Sequence, residues 1–359
     1  MSTRHLVIMA AGTGGHIIPG LAVAEEMQRR GWSVSWMGTE QGMENKLVPP
    51  SGLPLDRLAF AGLRGKGLMH ALRGIGTLIK ALGQSRQVFA SRSADAVLGM
   101  GGYVCFPGGL MAWLMRRPLM LVNADAAMLL SNRSLTPFAQ RIAFGFDGAA
   151  AASTKKAVLT GNPVRAEIEA LAEPAARFAG RSGPLRVLVV GGSLGARAIN
   201  EVLPQALKRF AAVERPIVTH QTGQANLSTV QAGYQAAGVQ AEILPFIDNM
   251  AQRLADCDLI ICRAGAVTVS ELCAAGVPAV LVPLVVATTS HQRDNAQFMA
   301  QHGAALHLPQ PQLTAEGLEA LLRSLNREQL LQMANKARAL ARPRAASRVA
   351  DEIERLVQR

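Results

Sequence analysis

Leu6-Val7-Ile8-Met9-Ala10 runs into Gly12-Thr13-Gly14-Gly15-His16, and an amphipathic stretch from Leu21 to Arg30 follows. The same grammar returns in the second half: Val187-Leu188-Val189-Val190, then Gly191-Gly192-Ser193-Leu194-Gly195, then Ala196 to Leu207. Glycine lets a backbone turn sharply and approach a ligand closely. The helix that follows presents unpaired N–H groups and a partial positive charge to whatever occupies the turn. Two such turns at similar depth in each half predict two nucleotide-fold domains facing one cleft.

Outward from these turns, strands alternate with helices, the pattern of parallel sheets covered on both faces. The spacing predicts strands at 6–10, 34–37, 96–99 and 119–122, then at 186–190, 217–220, 241–244, 258–262 and 279–282. Helical patterns fill 18–30, 71–90, 107–115, 197–211, 226–237, 268–275, 292–301 and 315–322. The domain boundary falls near Gly161-Asn162-Pro163. Glu173 to Pro184 reads as a surface excursion, and Glu328 to Arg359 as a helical tail broken at Pro343. A chain of 359 residues suits two domains of this kind.

Composition narrows the function. Aromatic residues are 4% of the chain, too few for a platform on which single-stranded bases stack, so nucleic acid is not an expected partner. The net charge of +12 is uneven: residues 1–160 hold 17 Lys and Arg against 8 Asp and Glu, a surplus of +9. A basic first half points to an anionic partner or surface. Cys105, Cys257, Cys262 and Cys273 lack a C-x-x-C spacing and read as buried apolar residues in a reducing compartment. No run reaches the ~18–20 apolar residues of a membrane span.

Several residues suit chemistry. His16, at the mouth of the first turn, carries an imidazole, a group suited to taking a proton from an attacking hydroxyl. Ser193 can donate beside a helix N-terminus, and Arg165 or Arg263 can pair with phosphate. Glu271 follows the strand Leu259–Cys262 and the small residues of 264–266, where a carboxylate can bind both ribose hydroxyls. Asp256-Cys257-Asp258 has a metal-binding look, but it lies at a strand entrance and no metal is expected there. Apolar and basic residues mix in Gly62–Met69 and the helix after it, and again at Trp113, Met115, Arg116 and Arg117. Neither turn has the full G-x-G-x-x-G spacing with an acid ~20 residues on, which argues against a dehydrogenase.

Together the segments resemble the family of bacterial peptidoglycan glycosyltransferases that add N-acetylglucosamine to lipid I. The stretches that match are Gly12–Gly20, Gly62–Gly67, Gly99–Val104, Gly161–Arg165, Gly191–Ser193, Phe246–Asp248, Thr268–Glu271, and His291-Gln292 with Asn295-Ala296. The resemblance implies an α/β chain of GT-B fold: two Rossmann-like domains with the active site between them and a C-terminal helix crossing back. Residues 1–161, with 344–359 packed on them, would bind the acceptor and the membrane. Residues 162–343 would bind UDP-N-acetylglucosamine.

By motif match, the donor would meet Thr13, Gly14, Gly15, Asn123, Asp125, Arg165, Ser193, Ile247, the stretch Ala266, Val267, Thr268, Val269, Ser270 and Glu271, and Gln292. The acceptor, lipid I, would meet Gly102, Tyr103, Arg64 and Lys66. Transfer would be inverting, without a metal ion or other cofactor, with His16 or Asp125 as the base. The partners implied are the anionic inner leaflet of the cytoplasmic membrane, with peripheral attachment at its cytoplasmic face, and other cell-wall or division proteins. The chain departs from the family at Val122-Asn123-Ala124-Asp125, where His-Glu-Gln-Asn is usual, and at Leu194, where Gln is common. Other readings stay open: a GT-B enzyme with another acceptor, a sugar epimerase, or a non-catalytic nucleotide-sugar binder, the last supported only by the altered Val122–Asp125 segment.

Overall fold

The apolar strands at the two glycine turns are buried on both faces, as parallel strands between helical layers must be. Leu6, Ile8 and Ala10 enter one core with Trp36, Leu98 and Met120. Val7 and Met9, one residue out of phase, enter a second core with Phe89, Leu119 and Phe144. This period of two fixes the register of the whole first sheet. The computed structural model describes residues 3–12, 14–60, 68–192, 195–284 and 291–358.

The chain divides into two units, Met1–Val164 with Arg342–Arg359, and Arg165–Ala341. The first holds strands β1 (His5–Ala10), β2 (Ser33–Thr39), β3 (Leu55–Leu58), β4 (Ala96–Gly101), β5 (Leu119–Asn123), β6 (Arg141–Phe144) and β7 (Ala157–Leu159). They pair in the order β3-β2-β1-β4-β5-β6-β7, parallel throughout. The second holds β8 (Arg186–Val190), β9 (Ile217–Gln221), β10 (Glu242–Leu244), β11 (Leu259–Cys262), β12 (Ala279–Leu281) and β13 (Ala305–His307), in the order β10-β9-β8-β11-β12-β13. All of its pairings are parallel as well. In each sheet the strand order reverses beside the strand that leads into the glycine turn: at β1/β4 and at β8/β11. An open parallel sheet offers its ligand crevice beyond the strand ends at such a reversal.

The C-terminal helix Ala345–Val357 belongs to the first unit. Its Val349, Ala350 and Ile353 sit in the same core as Leu6 and Ile8. Arg30, at the end of helix Gly14–Arg29, ties it down by ion pairs to Asp351 at 2.7 Å and Glu354 at 2.8 Å.

The structure adds strands the pattern reading did not foresee: β3, β6, β7 and β13. Each is three or four residues long, too short for alternation to register. Nor is 173–184 a surface excursion. It contains helix Pro174–Phe178, whose Phe178 is buried in the second unit's core. Asp258, set aside above as a metal ligand, has a structural task. Its fully buried carboxylate accepts from Arg181 at 2.7 Å, Arg327 at 2.9 Å and the Arg186 N–H at 2.9 Å. Burial works against its charge, but those donors outweigh it and hold the carboxyl below its ordinary value.

Removing one partner of a buried ion pair strands the others and costs about 3–5 kcal/mol. Asp258→Ala is therefore expected to lose about 3 kcal/mol in urea unfolding at neutral pH; a loss below about 1 would contradict this. Because the folded pKa is depressed, the contribution is complete above the unfolded value of about 3.9. It fades as pH falls through the lower folded value, a slope the variant should lack.

Candidate active site

In the first unit, the loops after β1 and β4 interlock. The Ala11 N–H donates to the Gly101 carbonyl at 3.2 Å. Gly102, at φ +89°, lies so close to Ala11 that a Cβ there would sit 2.3 Å from the Ala11 carbonyl oxygen. No other residue type fits this approach. The buried thiol of Cys105 ties the same corner, donating to the Met9 carbonyl at 3.3 Å and accepting from the Gly101 N–H at 3.2 Å. Burial pushes that thiol up to about 12, so it stays protonated and inert. The His16 ring, in the first turn of helix Gly14–Arg29, lies over Gly101: a Cβ there would be 2.5 Å from His16 Nδ1. Gly14, Gly15, His16, Gly102 and the half-exposed Tyr103 thus gather at the β1/β4 reversal.

A buried carboxylate that sequence reasoning missed braces this turn. Glu44 accepts from the Gly12 N–H at 3.0 Å, the Thr39 N–H at 2.8 Å and the Thr39 hydroxyl at 2.6 Å. It stands 32 residues from the turn it holds, and no local motif marks it.

Asn123 and Asp125 sit at the end of β5. The Asn123 side chain is fully buried and engaged within its own loop. Its Nδ2 donates to the Asp125 carbonyl at 2.8 Å and the Ala127 carbonyl at 3.0 Å, and its Oδ1 accepts from the Leu129 N–H at 2.9 Å. The amide thus braces the loop. Asn132 and Asn162 hold the same loop, donating to the Val122 carbonyl at 2.9 Å and the Ala124 carbonyl at 2.8 Å. Asp125 rides on the loop, partly exposed.

In the second unit, helix Ala266–Ala275 starts at the exit of β11, with Gly265 as its N-cap. Its first-turn N–H groups, those of Ala266, Val267 and Thr268, have no intrahelical carbonyl to meet. At the far end two arginines collect the orphan carbonyls. Arg177 donates to Ala275 at 2.5 Å and Gly276 at 2.6 Å, and Arg338 to Ala274. Cations there complement the negative end of the helix dipole and leave the positive end for an anion.

One turn along, Glu271 pairs with Arg165, Nε to Oε1 at 2.8 Å. Burial raises the Glu271 carboxyl above its ordinary value, against the opposing pull of Arg165. Val269 points into the core with no exposure, so only its main chain can face a ligand. The Ser270 hydroxyl donates back to the Ala266 carbonyl at 2.8 Å. Ile247 is buried as well. Arg263, the other arginine candidate, donates to the Val282 carbonyl at 3.0 Å and to Gln310 at 2.8 Å, bracing the exit of β12. Gln292, near the start of helix His291–Gln301, accepts from the Leu284 N–H at 2.9 Å. Thr13, Arg64, Lys66 and Ser193 lie outside the described residues. Among the described residues, no group of three or more His, Cys, Asp or Glu is placed to hold a metal ion.

Residues 6–144 match the glycosyltransferase family 28 N-terminal domain, and residues 186–356 the family's C-terminal domain. A protein of Methylibium petroleiphilum named UDP-N-acetylglucosamine--N-acetylmuramyl-(pentapeptide) pyrophosphoryl-undecaprenol N-acetylglucosamine transferase is 69% identical, over 100% of this chain and 99% of its own. The protein of that name from Chromobacterium violaceum is 65% identical, over 99% of each. The crystal structure of Acinetobacter baumannii MurG superposes with a TM-score of 0.86 at 38% identity, over 98% of this chain and 99% of that one. Two parallel α/β units of GT-B type, matched domain by domain and along the full length, place the chain in glycosyltransferase family 28, to which it belongs.

Proposed function

We propose that the chain transfers N-acetylglucosamine from UDP-N-acetylglucosamine to the 4-hydroxyl of the muramyl sugar of lipid I, forming lipid II. One placement carries this reading: the open first turn of helix Ala266–Ala275, the Glu271 carboxylate and the Arg165 guanidinium meet at the β8/β11 reversal. That set answers a nucleotide-sugar diphosphate group by group. N–H groups and Arg165 suit the phosphates, Glu271 suits the ribose hydroxyls, the Ile247 backbone suits the uracil and Gln292 suits the sugar. The names of the 69% and 65% identical relatives support the donor and the acceptor.

The muramyl 4-hydroxyl attacks the anomeric carbon on the face opposite the phosphate. The new C–O bond forms as the bond from that carbon to the β-phosphate oxygen breaks. The electron pair leaves on UDP, and the configuration inverts. The hydroxyl proton passes to a base on the first unit, His16 in our assignment, with Asp125 as the alternative. Charge growing on the leaving diphosphate is met by helix N–H groups and Arg165, a kind of stabilisation whose loss typically lowers turnover 10²–10³-fold.

The first unit takes the lipid side in this proposal, with Gly102, Tyr103, Arg64 and Lys66 toward the acceptor. Ile75 and Ile79 of helix Leu68–Ser91 and Trp113 and Leu114 of helix Cys105–Leu114 are exposed by 54%, 64%, 47% and 55%. The two helices pack together. Arg116 and Arg117 follow immediately, so apolar side chains stand beside cations. Each cation near an anionic leaflet adds roughly 1 kcal/mol of attraction. Among the described residues no helix is long and apolar enough to cross a membrane. We assign this face to peripheral attachment at the cytoplasmic side of the inner membrane.

The direct test is incubation with labelled UDP-N-acetylglucosamine and lipid I. Labelled lipid II supports the proposal, while transfer only to a diacylglycerol, or an epimerised sugar, overturns it. Glu271→Ala should raise the donor KM at least tenfold and lower kcat less; an unchanged donor KM would count against the ribose role. Since the ionised carboxylate is the better acceptor and its pKa is raised, the donor KM should fall as pH climbs through that value. Glu271→Gln should abolish this limb. His16→Ala should lower kcat by 10²-fold or more with the donor KM within about threefold. Ile79→Glu combined with Trp113→Glu should lose most co-sedimentation with anionic vesicles while UDP affinity stays put; full retention would refute the attachment face.

A further inference from the structure

The turn residues Gly191 and Gly192 are held by one strand end that makes none of the donor contacts assigned above. Gln221, the last residue of β9, is buried, and its amide faces the turn. Its Oε1 accepts from the Gly192 N–H at 3.1 Å, and its Nε2 donates to the Gly192 carbonyl at 3.0 Å and the Pro245 carbonyl at 3.1 Å. The side chain therefore pairs with Gly192 as a neighbouring strand would. It also links the diphosphate turn to the segment Pro245–Ile247, where the base is assigned. The Gln221 carbonyl accepts from the Gly191 N–H at 3.2 Å. The next residue closes the other end of the turn. Gly195, at φ +74°, lies so close to Thr222 that a Cβ there would be 2.2 Å from the Thr222 carbonyl oxygen.

This strand end is fixed from beneath by a buried polar chain. The Asn200 Nδ2 donates to the Thr222 carbonyl at 3.4 Å, so its Oδ1 accepts from His220 Nε2–H at 3.1 Å. His220 Nδ1 in turn accepts from the Tyr234 hydroxyl at 3.0 Å. His220 is fully buried and Tyr234 nearly so. Burial drives the His220 imidazole down to about 4, so it is neutral at working pH and keeps this one-way pattern. A buried polar network is tolerated when every member is satisfied, and it then specifies a single geometry.

We propose that Gln221, held in place by the Tyr234–His220–Asn200 chain, is a positioning residue. It presets Gly191 and Gly192 and the Pro245–Ile247 segment for the donor's diphosphate and base without touching either. This rests on the UDP-sugar reading above. A preorganised loop avoids paying its ordering entropy at binding, so loosening it weakens donor affinity.

The test is calorimetric titration of UDP into the full chain, with steady-state kinetics against UDP-N-acetylglucosamine and lipid I. Gln221→Met keeps the side chain's length and removes all three of its hydrogen bonds. It should weaken UDP binding about tenfold or more and raise the donor KM in proportion. The lipid I KM should not move, and kcat should change less than the donor KM. Tyr234→Phe keeps the packing and removes one link; it should shift the same parameters two- to fivefold in the same direction. If Gln221→Met fails to fold, Tyr234→Phe alone decides. Folded variants with wild-type UDP affinity would overturn the positioning role while leaving the transferase reading intact. A wild-type chain that binds no UDP would overturn both.

Discussion

Three main-chain N–H groups at the start of helix Ala266–Ala275 have no carbonyl within the helix to receive them, and the second unit is arranged around that deficit. The helix begins where the strand order reverses, so its open end faces the crevice rather than a neighbouring crossover. Its closed end is satisfied by Arg177 and Arg338, the latter also paired to Glu173 at 3.0 Å. Asn295 steadies the approach to the open end, donating to the Ala264 carbonyl at 3.0 Å. In the proposed donor site, an anion at that open end would supply what the backbone lacks, and Arg165 would add the full charge that amides alone do not carry.

The first unit repeats this topology. Its reversal is crowded by Ala11, Gly101, Gly102 and the His16 ring, and stiffened by Cys105 and Glu44. Such rigidity suits the base role proposed for His16. The loop after β5 shows how the chain reaches a fixed geometry by its own means. Where the family usually has His-Glu-Gln-Asn, three asparagine amides, those of Asn123, Asn132 and Asn162, bond main-chain groups around the loop. The loop that carries Asp125 is consequently shaped from within.

Much of this was legible from local pattern. The two glycine turns, the strands that feed them and the position of Glu271 in the helix after β11 all follow from short-range periodicity and small-residue placement. Strands β3, β6, β7 and β13 escaped because three or four residues cannot show an alternation. The bracing groups escaped for another reason. Glu44, Gln221 and Asp258 act on main-chain groups 29 to 72 residues away, and only the folded register brings them there. Asn123 shows the same limit: its burial and its bonds to Asp125, Ala127, Leu129 and Asn132 appear only in the folded loop.

The account depends on main-chain amides of the second unit gripping the donor's phosphates. Amide hydrogen exchange with and without UDP-N-acetylglucosamine measures this directly. It should slow at Ala266, Val267 and Thr268, the first turn of helix Ala266–Ala275, and stay unchanged at the helix's Arg-capped end. Protection confined to the loops of the first unit, with the 266–268 amides exchanging as they do without the donor, would contradict the account.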